Sequence, residues 1–101
     1  MNSSKDRLMV SGMEIVWTEY LEYRARTRGY DLKKIREILR YSSERYIDTV
    51  SGRFIAIGRH GKTLVMIPYE VKEDSMVPVT IHAISRQQIR FRIKTGRFKH
   101  E

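Results

Sequence analysis

Apolar and polar positions follow two different periods along this chain, and the change between them divides it into two parts. Over Leu32, Ile35, Ile38 and Leu39 the apolar residues fall at i, i+3, i+6 and i+7, while Lys33, Lys34, Arg36 and Arg40 point elsewhere. That spacing predicts a helix with one buried stripe, and Asp31 is its N-cap. An earlier helix is predicted from Thr18, a second capping residue, through Leu21 and Ala25 to a stop at Gly29. Glu14-Ile15-Val16-Trp17, just before it, is a short apolar run that suits an opening strand.

From Tyr46 onward the period falls to two. Tyr46-Ile47-Asp48-Thr49-Val50 reads as a strand, Ser51-Gly52 as a turn and Arg53-Phe54-Ile55-Ala56-Ile57-Gly58 as its hairpin partner. Arg59-His60-Gly61-Lys62 makes the next turn, and Thr63 to Val71 a third strand whose Pro68 requires a bulge or an edge-facing position. Lys72-Glu73-Asp74-Ser75 is a charged loop before a fourth, β-branched strand over Val77 to Ile84. Ser85 then caps a closing helix from Arg86 to about Lys94, with Ile89 and Ile93 on its packing face and Arg86, Arg90 and Lys94 aligned on another. The expected architecture is α+β: an N-terminal strand and two helices packed on a four-stranded antiparallel sheet, closed by a basic helix. Residues 1–12, non-periodic apart from Leu8, Met9 and Val10, read as a flexible leader, and residues 13–101 as a single domain.

Composition narrows the chemistry. The 101 residues hold no cysteine, so disulfide scaffolds and cysteine zinc sites are excluded, and no apolar run approaches a membrane span, which makes a cytoplasmic protein the expectation. Twenty Lys and Arg against twelve Asp and Glu give a formal charge of +8, which calls for an anionic partner, nucleic acid or an acidic protein. The excess is lopsided: Arg86, Arg90, Arg92, Lys94, Arg97 and Lys99 face only Glu101 at the C-terminal end. With Arg53, Arg59 and Lys62 from the hairpin turns they form a candidate track for a phosphate backbone. Tyr20, Tyr23, Tyr30, Tyr41 and Trp17 read as core or groove residues rather than base-stacking platforms.

Two motifs dissolve on inspection. Gly58-Arg59-His60-Gly61-Lys62-Thr63 carries the Gly-Lys-Thr ending of a phosphate-binding loop, but Ala56 stands where that loop needs glycine and a strand follows instead of a helix. His60, His82 and His100 are far apart, with no acidic residues at ligand spacing, so no metal site is expected. His82 shares a strand face with Thr80 and Ile84, and two readings stay open for it: a partly buried histidine bonded to a neighbour, or a group that handles protons near neutral pH.

The element order, with Tyr46-Ile47-Asp48, Arg53-Phe54-Ile55-Ala56-Ile57-Gly58, Leu64-Val65-Met66-Ile67 and the junction His82-Ala83-Ile84-Ser85-Arg86, resembles the RelE-like toxins over residues 13 to 98. The resemblance is greatest to the BrnT branch and the small toxin-like domains related to it. In that branch a strand with an Ile-Gly pair precedes a hydrophobic strand and then one that runs into Ser-Ala-Arg and a basic helix. Here Ile84-Ser85-Arg86 stands in that place, and the C-terminal tail has no clear counterpart. The resemblance implies the toxin of a type II toxin–antitoxin pair: a metal-independent endoribonuclease, without cofactor, that cleaves mRNA and is held by a small antitoxin. The assembly it implies is a homodimer or a toxin–antitoxin heterotetramer. Such cleavage needs a base for the 2′-hydroxyl, positive charge for the pentacoordinate phosphorus and an acid for the leaving oxygen. Carried over, Arg86 matches the arginine after the last strand and Arg53 the basic positions facing the cleft, while Arg90 follows by its place one turn after Arg86. His82 is the candidate for proton transfer, with Arg59, Lys62, Lys94 and Arg97 gripping the RNA. Two other classes remain: a non-catalytic nucleic-acid-binding or regulatory module, and a domain that binds an acidic protein through an exposed edge near Pro68.

Overall fold

The first two helices start where polar side chains can replace missing backbone partners. Thr18 and Asp31 hold extended backbone, and their side chains accept hydrogen bonds from the amides of Leu21 and Lys33. The helices that follow are α1 (Glu19–Arg28) and α2 (Leu32–Tyr41). Gly29 ends α1 in the left-handed conformation at φ 76°, which lets its amide turn back to the Arg26 carbonyl at 3.3 Å while Tyr30 N reaches Ala25 O at 2.7 Å. The computed structural model describes residues 12–101, so the expected leader lies, apart from Gly12, outside the described residues.

The strands are β1 (Glu14–Ile15), β2 (Glu44–Asp48), β3 (Phe54–His60), β4 (Thr63–Lys72), β5 (Ser75–Pro78), β6 (His82–Ala83) and β7 (Phe98–His100). They form one open sheet in the order β1-β5-β4-β3-β2-β7, with β6 also paired to β4. Only the β1–β5 pairing is parallel. The third helix is α3 (Arg86–Lys94), and the fold is α+β.

The sheet is larger than the expected four strands, for three reasons. The opening strand joins it by pairing Glu14 with Ser75 and Ile15 with Met76. The tail returns as β7 beside β2, pairing Asp48 with Phe98 and Tyr46 with His100. The fourth strand is split by Pro68. Tyr69 pairs with Pro78 and Met66 with His82, so two residues of β4, 67 and 68, oppose three, 79 to 81. This is a β-bulge. Pro68 O accepts from Val79 N at 2.8 Å, and proline's missing amide falls on that same edge, where the extra residue removes the need for a donor. Pro68 also pairs with Ile55 of β3. It therefore stands in the interior of the sheet, and the exposed edge expected beside it does not exist.

Both faces of the sheet are covered. Ala56, Val65, Ile67 and Tyr69 pack with Leu21, Ala25, Ile35, Ile38 and Leu39 under α1 and α2. The alternate residues Ile55, Ile57, Leu64 and Met66 join Tyr46, Phe98, Ile84 and Ile89 under α3. Gly58 belongs to the first face, where an added Cβ would lie 2.7 Å from Ile38 Cγ1 and Cγ2. Its function is to let α2 approach β3. Trp17 and Tyr30 pack at the rim of the core as expected, whereas Tyr20, Tyr23 and Tyr41 are exposed, because α1 buries only Leu21 and Ala25 and Tyr41 ends α2. Among the described residues no helix is long and apolar enough to cross a membrane.

Candidate functional site

α3 is held at its start by a reciprocal cap. Ser85 Oγ accepts from Gln88 N at 3.1 Å, and Gln88 Oε1 accepts from Ser85 N at 2.9 Å. From there only Ile89 is buried, seated on the second apolar cluster. Ile93, expected on the packing face, is 36% exposed, because the last turn lays Arg92 on Phe98 instead, with its guanidinium carbon 5.3 Å from the ring centroid. The helix thus stands on one side chain and leaves a hollow on either flank, each of about 420 Å³.

One hollow is lined by Lys34, Tyr41, Glu44, Arg59 and Arg86 among others. Arg86 Nη1 donates to both oxygens of Glu44, at 2.8 and 2.7 Å, and Tyr46 OH donates to Glu44 Oε2 at 2.7 Å. Burial alone would raise the Glu44 carboxyl, but the bonds from Tyr46 and Arg86 outweigh it and hold it below its ordinary value. Burial and the bond to Glu44 push the Tyr46 hydroxyl up to about 12. The charge of Arg86 is already neutralised here, and the hollow is close to electrically balanced around it.

The other hollow is lined by Asp48, Arg53, Pro68, Thr80, His82, Gln88, Arg92 and Arg97. Arg53 pairs with Glu70 at 3.2 Å and Arg97 with Asp48 at 3.2 Å. Arg92 has no carboxylate partner among the described residues. Its Nη1 lies 3.3 Å from Met66 Sδ and its guanidinium over Phe98. Thr80 Oγ1 is buried with no hydrogen-bond partner among the described residues. His82 Nδ1 lies 3.0 Å from Arg24 Nη2. Desolvation, then the charges of Arg24, Arg28 and Arg92, lower the His82 pKa below its ordinary 6.5, so the ring is neutral at pH 7.

The expected site residues are therefore distributed. His82, Arg53 and Arg97 share the second hollow, Arg86 and Arg59 line the first, and Arg90, Lys62 and Lys94 line neither. Helix geometry accounts for the separation: at 3.6 residues per turn, Arg86 and Gln88 diverge by about 200°, so the Arg86–Arg90–Lys94 stripe turns away from the flank carrying Gln88 and Arg92. Lys62 lies in the two-residue turn between β3 and β4, where its carbonyl accepts from Arg59 Nη1 at 3.4 Å. His60 accepts from the Asp31 amide at 2.9 Å through Nε2 and ties the end of β3 to the start of α2. The hairpin there confirms that Gly61-Lys62-Thr63 opens a strand, with no helix N-terminus behind it.

Arg24 and Gln88 are the residues that strand and helix spacing did not single out, whereas Thr80 was placed on the strand face of His82, and Arg92 in the basic track but not at this cleft. Arg92 could have been found by counting three residues beyond the buried Ile89, to the flank shared with Gln88. Arg24 is 58 positions from His82, and no local signal joins them. Among the described residues no cluster of His, Asp and Glu is placed to hold a metal ion. Comparison with protein-family models, with curated proteins and with solved structures finds no match to this chain.

Proposed function

We propose that the chain is an RNA-binding domain of the RelE-like toxin type, and that its substrate phosphodiester lies in the cleft between His82 and Arg92. One observation carries this reading: a neutral imidazole and an arginine without a carboxylate partner meet on one open, polar cleft beside the most basic helix of the chain. A phosphate group is the ligand that satisfies both, since its oxygens accept from Arg92 and from the imidazole N–H.

The cleavage reading adds one reaction to this binding. The 2′-oxygen attacks the adjacent phosphorus and loses its proton, the P–O5′ bond breaks, and the products are a 2′,3′-cyclic phosphate and a 5′-hydroxyl end. In it, Arg92 stabilises the charge on the phosphorane, the Nε2–H of the neutral His82 donates a hydrogen bond to a phosphate oxygen and keeps its proton, and water takes the 2′ proton and supplies one to the departing O5′. Arg86, held by Glu44, has no part at this phosphorus, nor has Arg90. A small acidic antitoxin is the proposed partner for the basic surface of α3, in the cytoplasm.

A second reading, binding without cleavage, is favoured by the Arg24–His82 bond, which occupies the nitrogen that a base would use. Incubation of the full chain with end-labelled RNA in excess chelator separates the two. Cleavage products ending in a cyclic phosphate, absent from His82→Gln and Arg92→Ala proteins, support the endoribonuclease. Salt-sensitive retention of intact RNA supports the binding module, and neither binding nor cleavage overturns both.

A further inference from the structure

The bond between Arg24 and His82 fixes which ring nitrogen faces a ligand. A guanidinium carries five N–H donors, no acceptor and a permanent charge. At 3.0 Å it can only donate, so His82 Nδ1 is unprotonated and the single proton of the neutral ring sits on Nε2. Nε2 makes no hydrogen bond within the described residues, and His82 lines the cleft. Arg24 is itself held in place: its Nη1 donates to Tyr20 OH at 2.8 Å, and its guanidinium carbon lies 6.0 Å from the centre of that ring, one helical turn earlier on α1. This gives a purpose to Tyr20, an aromatic residue that is 53% exposed. Below this pair, Leu21 and Ala25 pack in the same core as Ile81, the neighbour of His82.

We propose that Arg24 is the positioning residue of the cleft, holding His82 in the Nε2–H tautomer so that it serves as a fixed hydrogen-bond donor to a phosphate oxygen. The donor role rests on the reading of the cleft as a phosphate site, while the tautomer does not. The charged groups around His82 are Arg24 and Arg28 from α1 and Arg92 from α3, with Arg53, Arg97 and Asp48 across the cleft and uncharged Met66 opposite on β4. Asp48, the acid among them, is tied to Arg97. A second proton on His82 would meet three arginines and break the bond to Arg24. An ordinary phosphate-binding histidine loses affinity as pH rises through about 6.5 and its charge disappears. Here the ring is neutral at pH 7 already, and RNA affinity is expected to stay level as pH rises from 7 to 8.

The test is two-bond ¹H–¹⁵N correlation spectroscopy on the ¹⁵N-labelled full chain, with the His82 ring assigned by its loss in His82→Gln. The expected spectrum at pH 7 shows Nδ1 unprotonated and Nε2 protonated. In Arg24→Met both tautomers appear and the midpoint of the His82 titration moves up. Arg24→Lys, which keeps a cationic donor, restores the Nε2–H form. A wild-type ring protonated on Nδ1, or an Arg24→Met ring with unchanged tautomer and midpoint in a protein whose backbone spectrum is native, overturns the proposal. Should Arg24→Met fail to fold, the wild-type tautomer and Arg24→Lys still decide it. RNA titrations of the same proteins are read separately: the expected tautomer with no RNA binding removes the phosphate reading and leaves the role of Arg24 intact.

Discussion

Arg86 and Arg92 have the same side chain on the same helix, and their neighbours give them opposite electrostatic surroundings. Arg86 is matched by Glu44, whereas Arg92 is matched by a thioether and an aromatic face. Arg92→Ala should therefore weaken RNA binding and lower the slope of log K against log salt by about 1. Arg86→Ala should leave that slope nearly unchanged, and the Tyr46 hydroxyl should titrate at a different pH when followed by absorbance. His82 gives a prediction in pH. Its folded pKa lies below its ordinary 6.5, so the unfolded chain binds the proton more readily. Stability is then full above about 6.5 and declines as pH falls toward the lowered folded value, with no further loss from this group below it. Urea melts from pH 8 to pH 5 should show that decline in the wild type and lack it in His82→Gln. The alternation of Thr80, His82 and Ile84 was readable from the strand pattern, because facing is a local property. The bond that determines the histidine's chemistry was not, since it joins residues on α1 and β6.

At the scale of elements, the helices and their ends were legible because their signals are short-ranged. Thr18, Asp31 and Ser85 each cap the helix predicted behind them, and Gly29 ends α1 where its left-handed backbone is needed. Ser85→Ala should cost about 1 kcal/mol by loss of the reciprocal cap and should fray the start of α3. Gly58 belongs to this scale as well. It resembled part of a phosphate loop, and its actual constraint is the approach of α2 to β3. Gly58→Ala should destabilise by about 1–3 kcal/mol as Ile38 is displaced, and thermal melts would register the change. What stayed hidden was pairing between distant segments. Val77 to Ile84 looked like one strand because β-branched residues do not reveal a bulge, and Phe98-Lys99-His100 is too short and too charged to mark itself as a strand before β2 is there to receive it.

For the whole molecule, the sheet acts as a floor with two helices beneath and one above, and the C-terminal segment locks the upper layer. Asp48 is the fastening point. It is 4% exposed, accepts from Val50 and Ser51 amides at 2.9 and 3.3 Å, and holds Arg97 at 3.3 and 3.2 Å. Burial would raise its carboxyl, but the Arg97 and backbone bonds prevail and keep its pKa below 3.8. The stabilisation it gives is present above that value and is lost as pH falls through the lowered one. Asp48→Asn should cost about 1–2 kcal/mol at pH 7, a modest figure because Arg97 is partly exposed. The gap to wild type in urea melts should close in strong acid, where the native carboxyl is protonated too. The concentration of charge at the C-terminal end, visible in the composition, corresponds in space to α3 above the floor and to β7 at the floor's edge. Neutralisation of Arg86 by Glu44 and of Arg97 by Asp48 confines its free part to a smaller surface than the count implied.

The extra residue opposite Pro68 also sets the phase of everything that follows it. In β5 the even-numbered Met76 faces α1 and α2, pairing with Val71, while in β6 the even-numbered His82 pairs with Met66 and faces α3. The parity has been inverted between them. Were the bulge lost at unchanged chain length, regular register from Pro78 would pair His82 with Val65, turning the imidazole into the core and bringing Ile81 out to the cleft. The facing of the histidine thus depends on one surplus residue in Val79-Thr80-Ile81, which puts the later strand out of phase with the earlier one while both stay paired to β4.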